Sequence, residues 1–154
     1  LAESIASLLK ERNINLVCVG PRFTSEEEIF LSQLGIRERT SAVNVDDAHL
    51  YSLYKNALGF IFPSKFEGFG IPILEAFASE CPVCLSNASC FPEIAGNAAL
   101  YFDPFDSNSI YNNVNRLITD RELSKELVRS GLKRLTLFSW KDAADQTLSV
   151  YKSI

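Results

Sequence analysis

The sequence predicts an α/β domain: a doubly wound parallel sheet with helices on both faces. Three observations carry this expectation. Short, wholly apolar runs such as Leu16-Val17-Cys18-Val19 and Ala99-Leu100-Tyr101-Phe102 recur along the chain. They lack the polar alternation of a half-exposed strand, so they read as strands covered on both faces. Segments of helical period separate them, the order expected of a parallel sheet.

Each element has its own local reason. Residues 1 to 12 form an amphipathic pattern, with Leu1, Ile5, Leu8 and Leu9 on one side. Leu16–Val19 is the first strand, closed by Gly20-Pro21. Thr24 with Glu27 fits a capping box that opens a helix to about Leu34, and Gly35 stops it. A weak strand follows near Thr40 to Asn44, and Asp46 or Asp47 caps a helix ending near Asn56. Gly59 to Phe62 is the third strand, 71–79 a helix, and Val83-Cys84-Leu85 the fourth strand. A short helix at Phe91–Ala95 leads to the fifth strand, Ala99–Phe102. Helices near 107–119, 121–137 and 140–152 close the chain, and Leu123, Leu127, Leu132 and Leu135 recur at helical spacing in the second.

The bulk composition narrows the function. The chain has 154 residues, which suits one domain, here 1–154, with no internal repeat or linker. It is 47% hydrophobic and 22% charged, the composition of a globular protein with a core. A net charge of −4 without a basic run argues against a nucleic-acid partner. No apolar stretch reaches the roughly 18 to 20 residues of a membrane span. The sequence has no Met and opens at Leu1 inside a helical pattern, which reads as a piece of a longer protein. Cys18 and Cys84 lie in strand runs, as small hydrophobes in a reducing, cytosolic compartment. Cys81-Pro82-Val83-Cys84 has C-x-x-C spacing but opens a strand, where nothing stabilises a thiolate.

The stretch that carries chemistry is Phe62-Pro63-Ser64-Lys65-Phe66-Glu67-Gly68-Phe69-Gly70-Ile71-Pro72-Ile73-Leu74-Glu75, where a strand becomes a helix. In doubly wound sheets, ligands bind at the carboxyl ends of strands, where this turn falls. Gly68 and Gly70 permit backbone angles and approaches that a Cβ would block. Pro72 suits the first turn of a helix, whose free N–H groups favour an anion such as a diphosphate. Glu75 lies about one turn in and can accept hydrogen bonds from a ribose diol. Glu67 can meet a second set of hydroxyls. Two acids around an anion-binding turn suit a nucleotide sugar; glycines kept only for packing are the other reading.

Glu67-Gly68-Phe69-Gly70-Ile71-Pro72-Ile73-Leu74-Glu75-Ala76 resembles the motif of the GT-B glycosyltransferases of the group 1 type (family 4, retaining): two Glu separated by seven residues. Leu53-Tyr54-Lys55-Asn56-Ala57, Pro82-Val83, Ser86-Asn87, Pro92-Glu93-Ile94-Ala95-Gly96 and Phe138-Ser139-Trp140 resemble further blocks of that family, in order. The resemblance implies a Rossmann-like domain, the C-terminal half of a GT-B fold without its first strand. It implies that Glu67 contacts the donor sugar and takes part in catalysis, and that Glu75 binds the ribose. The backbone of Gly68, Phe69, Gly70 and Ile71 would hold the distal phosphate and sugar. Asn44 and Val45, with Asp46, would cradle the base through main-chain atoms, with Leu50 as an apolar neighbour.

The implied reaction moves a hexose from a nucleoside-diphosphate sugar to a saccharide or glycolipid with retention, and needs no metal or other cofactor. The acceptor would bind a separate N-terminal domain, so the chain alone would be inactive. The implied setting is cytoplasmic polysaccharide or lipopolysaccharide synthesis in bacteria, with peripheral membrane contact at the inner face. Two rivals stay open. One is another GT-B-fold enzyme, a sugar-nucleotide epimerase or a glycogen-synthase-like polymerase; the other is a non-catalytic α/β module. The remaining residues read plainly. Arg22, Lys65 and His49 are solvated, Glu93 braces its loop, and Trp140 is a packing anchor. Glu80 stands where relatives have Gly, an uncomfortable exchange if the position needs a positive φ.

Overall fold

The computed structural model describes residues 1–153; Ile154, the last residue of the expected domain, lies outside the described residues. Among the described residues, eight α-helices and five strands follow the expected order, with one added 3-10 turn at Arg37–Arg39. The first elements are α1 (Ala2–Glu11), β1 (Leu16–Val19), α2 (Ser25–Gln33) and β2 (Thr40–Val43). Then come α3 (Asp47–Asn56), β3 (Phe60–Phe62), α4 (Ile71–Ala78), β4 (Val83–Ser86), α5 (Phe91–Ala95) and β5 (Ala99–Phe102). The last helices are α6 (Ser107–Thr119), α7 (Arg121–Leu135) and α8 (Trp140–Lys152).

Local chemistry sets the boundaries. Thr24 and Glu27 form the full capping box of α2, and Gly35 follows that helix at φ +66°. Asp46 caps α3 through the His49 N–H at 2.9 Å. Asp106, Asp120 and Ser139 accept from the first-turn amides of α6, α7 and α8.

The strands are all parallel, but they form two ladders instead of one sheet. β1 pairs with β2, and β3, β4 and β5 pair in that order. No ladder joins β1 to β3 among the described residues. The doubly wound expectation holds in the core. Along β3–β5, Ile61, Cys84, Leu100 and Phe102 face one apolar cluster, built with α1, α6 and α7. Phe60, Phe62, Val83, Leu85, Ala99 and Tyr101 face a second cluster, built with α3, α4 and α5. Alternate side chains thus enter opposite cores, as the pleat requires. β1 differs: Val17 and Val19 are 43% and 51% exposed on the face opposite Leu16 and Cys18.

Two expectations about packing fail. Leu132 is exposed, because Gly131 is the residue that α7 turns against α4. A Cβ on Gly131 would stand 2.6 Å from Phe77 Cδ1. Trp140 is 82% exposed and anchors nothing; Ser139 starts α8, and Phe138 packs into the second core.

Candidate donor site

The turn from Pro63 to Gly70 sits at the carboxyl end of β3 and opens α4. Gly70 is the N-cap in left-handed conformation, φ 98°, ψ 47°. A Cβ there would lie 3.0 Å from Ile73 Cδ1 and 3.2 Å from Phe91 Cε1, so both backbone angle and space call for glycine. Gly68 differs from the expectation. Its φ is not positive, and a Cβ there would meet nothing within 4 Å. The open side of Gly68 faces space that a ligand can use.

Within the turn, the N–H of Glu67 donates to Ser89 Oγ at 3.2 Å. The amides of Gly68, Phe69, Gly70 and Ile71 find no protein acceptor among the described residues. Ile73 N–H returns to the Gly70 carbonyl at 2.9 Å, and Pro72 has no N–H. Four consecutive donors therefore lie free at a helix N-terminus, where the dipole favours negative charge.

The two carboxylates flank this nest and both are half-buried. Glu75 accepts a hydrogen bond from Tyr54 Oη at 3.3 Å, which joins α3 to α4. Burial first, and the Glu75 charge second, push the Tyr54 hydroxyl well above its ordinary range, so Tyr54 stays a donor. Asn44 and Val45 lie at the carboxyl end of β2, Asn44 exposed and Val45 half-buried, one residue before the cap of α3. Leu50 packs into the second core beside Tyr54. The two loops are thus at matching strand ends, and α3 links them.

A second turn, 87–90, holds the first one. Ser89 O–H donates to the Glu67 carbonyl at 2.8 Å, and Cys90 S–H to the Phe69 carbonyl at 3.0 Å. Ser86 O–H reaches the Ser64 carbonyl. Ser89 itself is left-handed, φ 54°, a strained position for serine. The clamp is anchored behind. Arg134 donates to the Ile94 carbonyl at 2.8 Å and to that of Glu93, at the end of α5. Sequence reasoning missed this clamp, because Ser89 lies 22 residues from the acid it holds.

The residues read as bystanders remain so in part. Arg22 is exposed, and Lys65 Nζ lies 4.2 Å over the Phe105 ring. His49 is exposed and paired to Asp46 Oδ1 at 2.6 Å; the cap bond from the His49 N–H first, and this bond second, hold the Asp46 carboxyl below its usual range. Glu80 does occupy a positive φ of 57°, its carboxylate 2.6 Å from Lys55 Nζ. The four cysteines are free. Burial pushes the Cys81 and Cys84 thiols up to about 12, the opposite of a redox pair's needs. Among the described residues no three His, Cys, Asp or Glu side chains gather as a metal site, and no helix is long and apolar enough to cross a membrane.

Solved structures share this fold. The C-terminal domain of a group 1 family glycosyl transferase from Francisella tularensis matches 88% of this chain and 75% of its own, with TM-score 0.76 and 26% identity. The parallel α/β fold is that of the GT-B glycosyltransferase class. The family model of the glycosyl transferases group 1 matches residues 1–134, and the chain belongs to that family. Its relatives include the O-antigen chain mannosyltransferase B of Escherichia coli, 38% identical over 70% of this chain. Another is the MMP alpha-(1->4)-mannosyltransferase of Mycolicibacterium hassiacum, 31% identical over 99% of this chain. The chain spans 28% and 38% of those two proteins.

Proposed function

We propose that this chain is the donor-binding half of a retaining mannosyltransferase that takes mannose from a nucleoside-diphosphate sugar. The observation that carries the reading is the row of free amides at 68–71, held between the carboxylates of Glu67 and Glu75. The diphosphate lies on the amides of Phe69, Gly70 and Ile71. Negative charge grows on it as the sugar leaves, and preorganised N–H groups with a helix dipole stabilise that charge without reorganising. This makes the step independent of a metal. Glu75 accepts from the ribose diol. Glu67 accepts from the hexose hydroxyls and steadies the sugar as its anomeric bond breaks. Asn44 and Val45 meet the base with main-chain atoms. The names of the two mannosyltransferase relatives support mannose as the sugar.

The acceptor, a saccharide or lipid-linked glycan, binds a separate domain of the whole protein, which works in the cytoplasm against the inner membrane face. The chain by itself binds donor and transfers nothing. Calorimetry with GDP, UDP and ADP on the full-length protein and its Glu75→Ala form tests the reading. Binding of one nucleotide, weakened in the variant, is the expected result and names the base. Silence towards all three removes the assigned roles of Glu67 and Glu75 and leaves a packing module.

A further inference from the structure

Tyr54 lies outside the glycine turn, yet its hydroxyl ends on the carboxylate that flanks it. The ring is 7% exposed, and its edge meets the Phe60 ring at 5.2 Å and 89°. It sits in the second core with Ile73 and Phe77, so the ring has little freedom. From that fixed position the hydroxyl donates to Glu75 Oε2 at 3.3 Å.

We propose that Tyr54 is a positioning residue for nucleotide recognition: it holds the Glu75 carboxylate in the one rotamer that accepts from both hydroxyls of a ribose. The inference rests on the ribose role of Glu75. Three observations support it. A half-buried glutamate still has three rotatable bonds to freeze, and a fixed donor on one oxygen removes that freedom before the ligand arrives. The bond occupies one lone pair of Oε2 and leaves Oε1 and the remaining lone pairs for a diol. No basic side chain pairs with Glu75 among the described residues, so Tyr54 is its side-chain partner there. The bond also runs between α3, which begins beside Asn44 and Val45, and α4, which begins at the anion nest. It therefore ties the last turn of α3 to α4 behind the anion nest.

The plain alternative is a buried tyrosine that only satisfies its own hydroxyl. The two are separated by comparing a ribonucleotide with its 2′,3′-dideoxy counterpart on the same sample. The full-length protein, Tyr54→Phe and Glu75→Ala are titrated with GDP, UDP or ADP, whichever binds, and with the matching dideoxynucleoside diphosphate. Tyr54→Phe keeps the ring and its packing. It is expected to weaken the ribonucleotide about 5- to 10-fold while the dideoxy form changes less than about twofold. Equal losses on both ligands, or no loss on either, would overturn the inference. The ratio is internal to each sample, so a partly unfolded variant remains readable. Glu75→Ala is expected to abolish the discrimination outright. Where Glu75→Ala keeps the wild-type ratio, the ribose role of Glu75 fails and this inference falls with it; where only Tyr54→Phe keeps it, the role of Glu75 stands and that of Tyr54 falls.

Discussion

Ser89 grips the peptide of Glu67 from both ends: it accepts from the Glu67 N–H at 3.2 Å and donates to the Glu67 carbonyl at 2.8 Å. A hydroxyl 22 residues downstream thus decides where the first acid of the motif stands. Serine does this from a left-handed backbone, a cost of about 1–3 kcal/mol that tends to persist where a site depends on it.

Ser89→Gly relieves that strain but removes the clamp. Melting of this variant should stay within a few degrees of wild type. Transfer by the full-length protein should fall about 10-fold in kcat/KM, the worth of one or two hydrogen bonds. Unchanged kcat/KM in a mannosyl-transfer assay would show that the clamp is structural only.

Gly70 and Gly68 should part company. Gly70→Ala puts a Cβ 3.0 Å from Ile73 and forces a positive φ, and should cost about 1–3 kcal/mol by urea unfolding. Gly68→Ala meets open space and should alter stability by less than about 0.5 kcal/mol. Its effect should appear instead as weaker nucleoside diphosphate binding by calorimetry. If Gly68→Ala binds like wild type, the open side of Gly68 is not where the ligand lies.

Glu80→Gly should stabilise. It removes a left-handed glutamate, worth roughly 1–2 kcal/mol, and gives up only a solvent-screened pair with Lys55. Thermal melting should rise by a few degrees, and a fall would mean the ion pair outweighs the strain.

The buried thiols predict a loss of stability in alkali. Cys81 and Cys84 have an ordinary value of 9.0 and are pushed up to about 12 by burial. Below pH 9 both states keep their protons, so no slope arises from these groups. Between pH 9 and about 12 the unfolded chain releases protons that the folded chain keeps, so stability falls as pH rises. Urea midpoints at pH 8, 9.5 and 10.5 should decline, and Cys84→Ala should flatten that decline. An equal slope in Cys84→Ala would assign it to other groups.

What could be read in advance depended on how local the cause was. Caps act over three residues, so Thr24 with Glu27, and Asp46, marked their helices correctly. The start of α4 at Gly70 was legible for the same reason. Contacts between distant segments were not. The Ser89 clamp and the Tyr54–Glu75 bond join residues 22 and 21 positions apart, with nothing local to announce them. Leucine spacing in α7 misled because shape decided: Phe77 needs the bare surface of Gly131, which turns Leu132 outward. Trp140 misled because residue type stood in for environment. Strand pairing is equally non-local, and the runs themselves do not reveal that β1–β2 and β3–β5 form separate ladders.

In β4 all four residues are buried, Cys84 towards one core and Val83 and Leu85 towards the other. Inserting or deleting a single residue there would exchange the contents of the two cores. The strand behind the turns at 63–70 and 87–90 can therefore vary only by like-for-like replacement, and its length of four residues is what a lineage carrying this sequence must hold fixed.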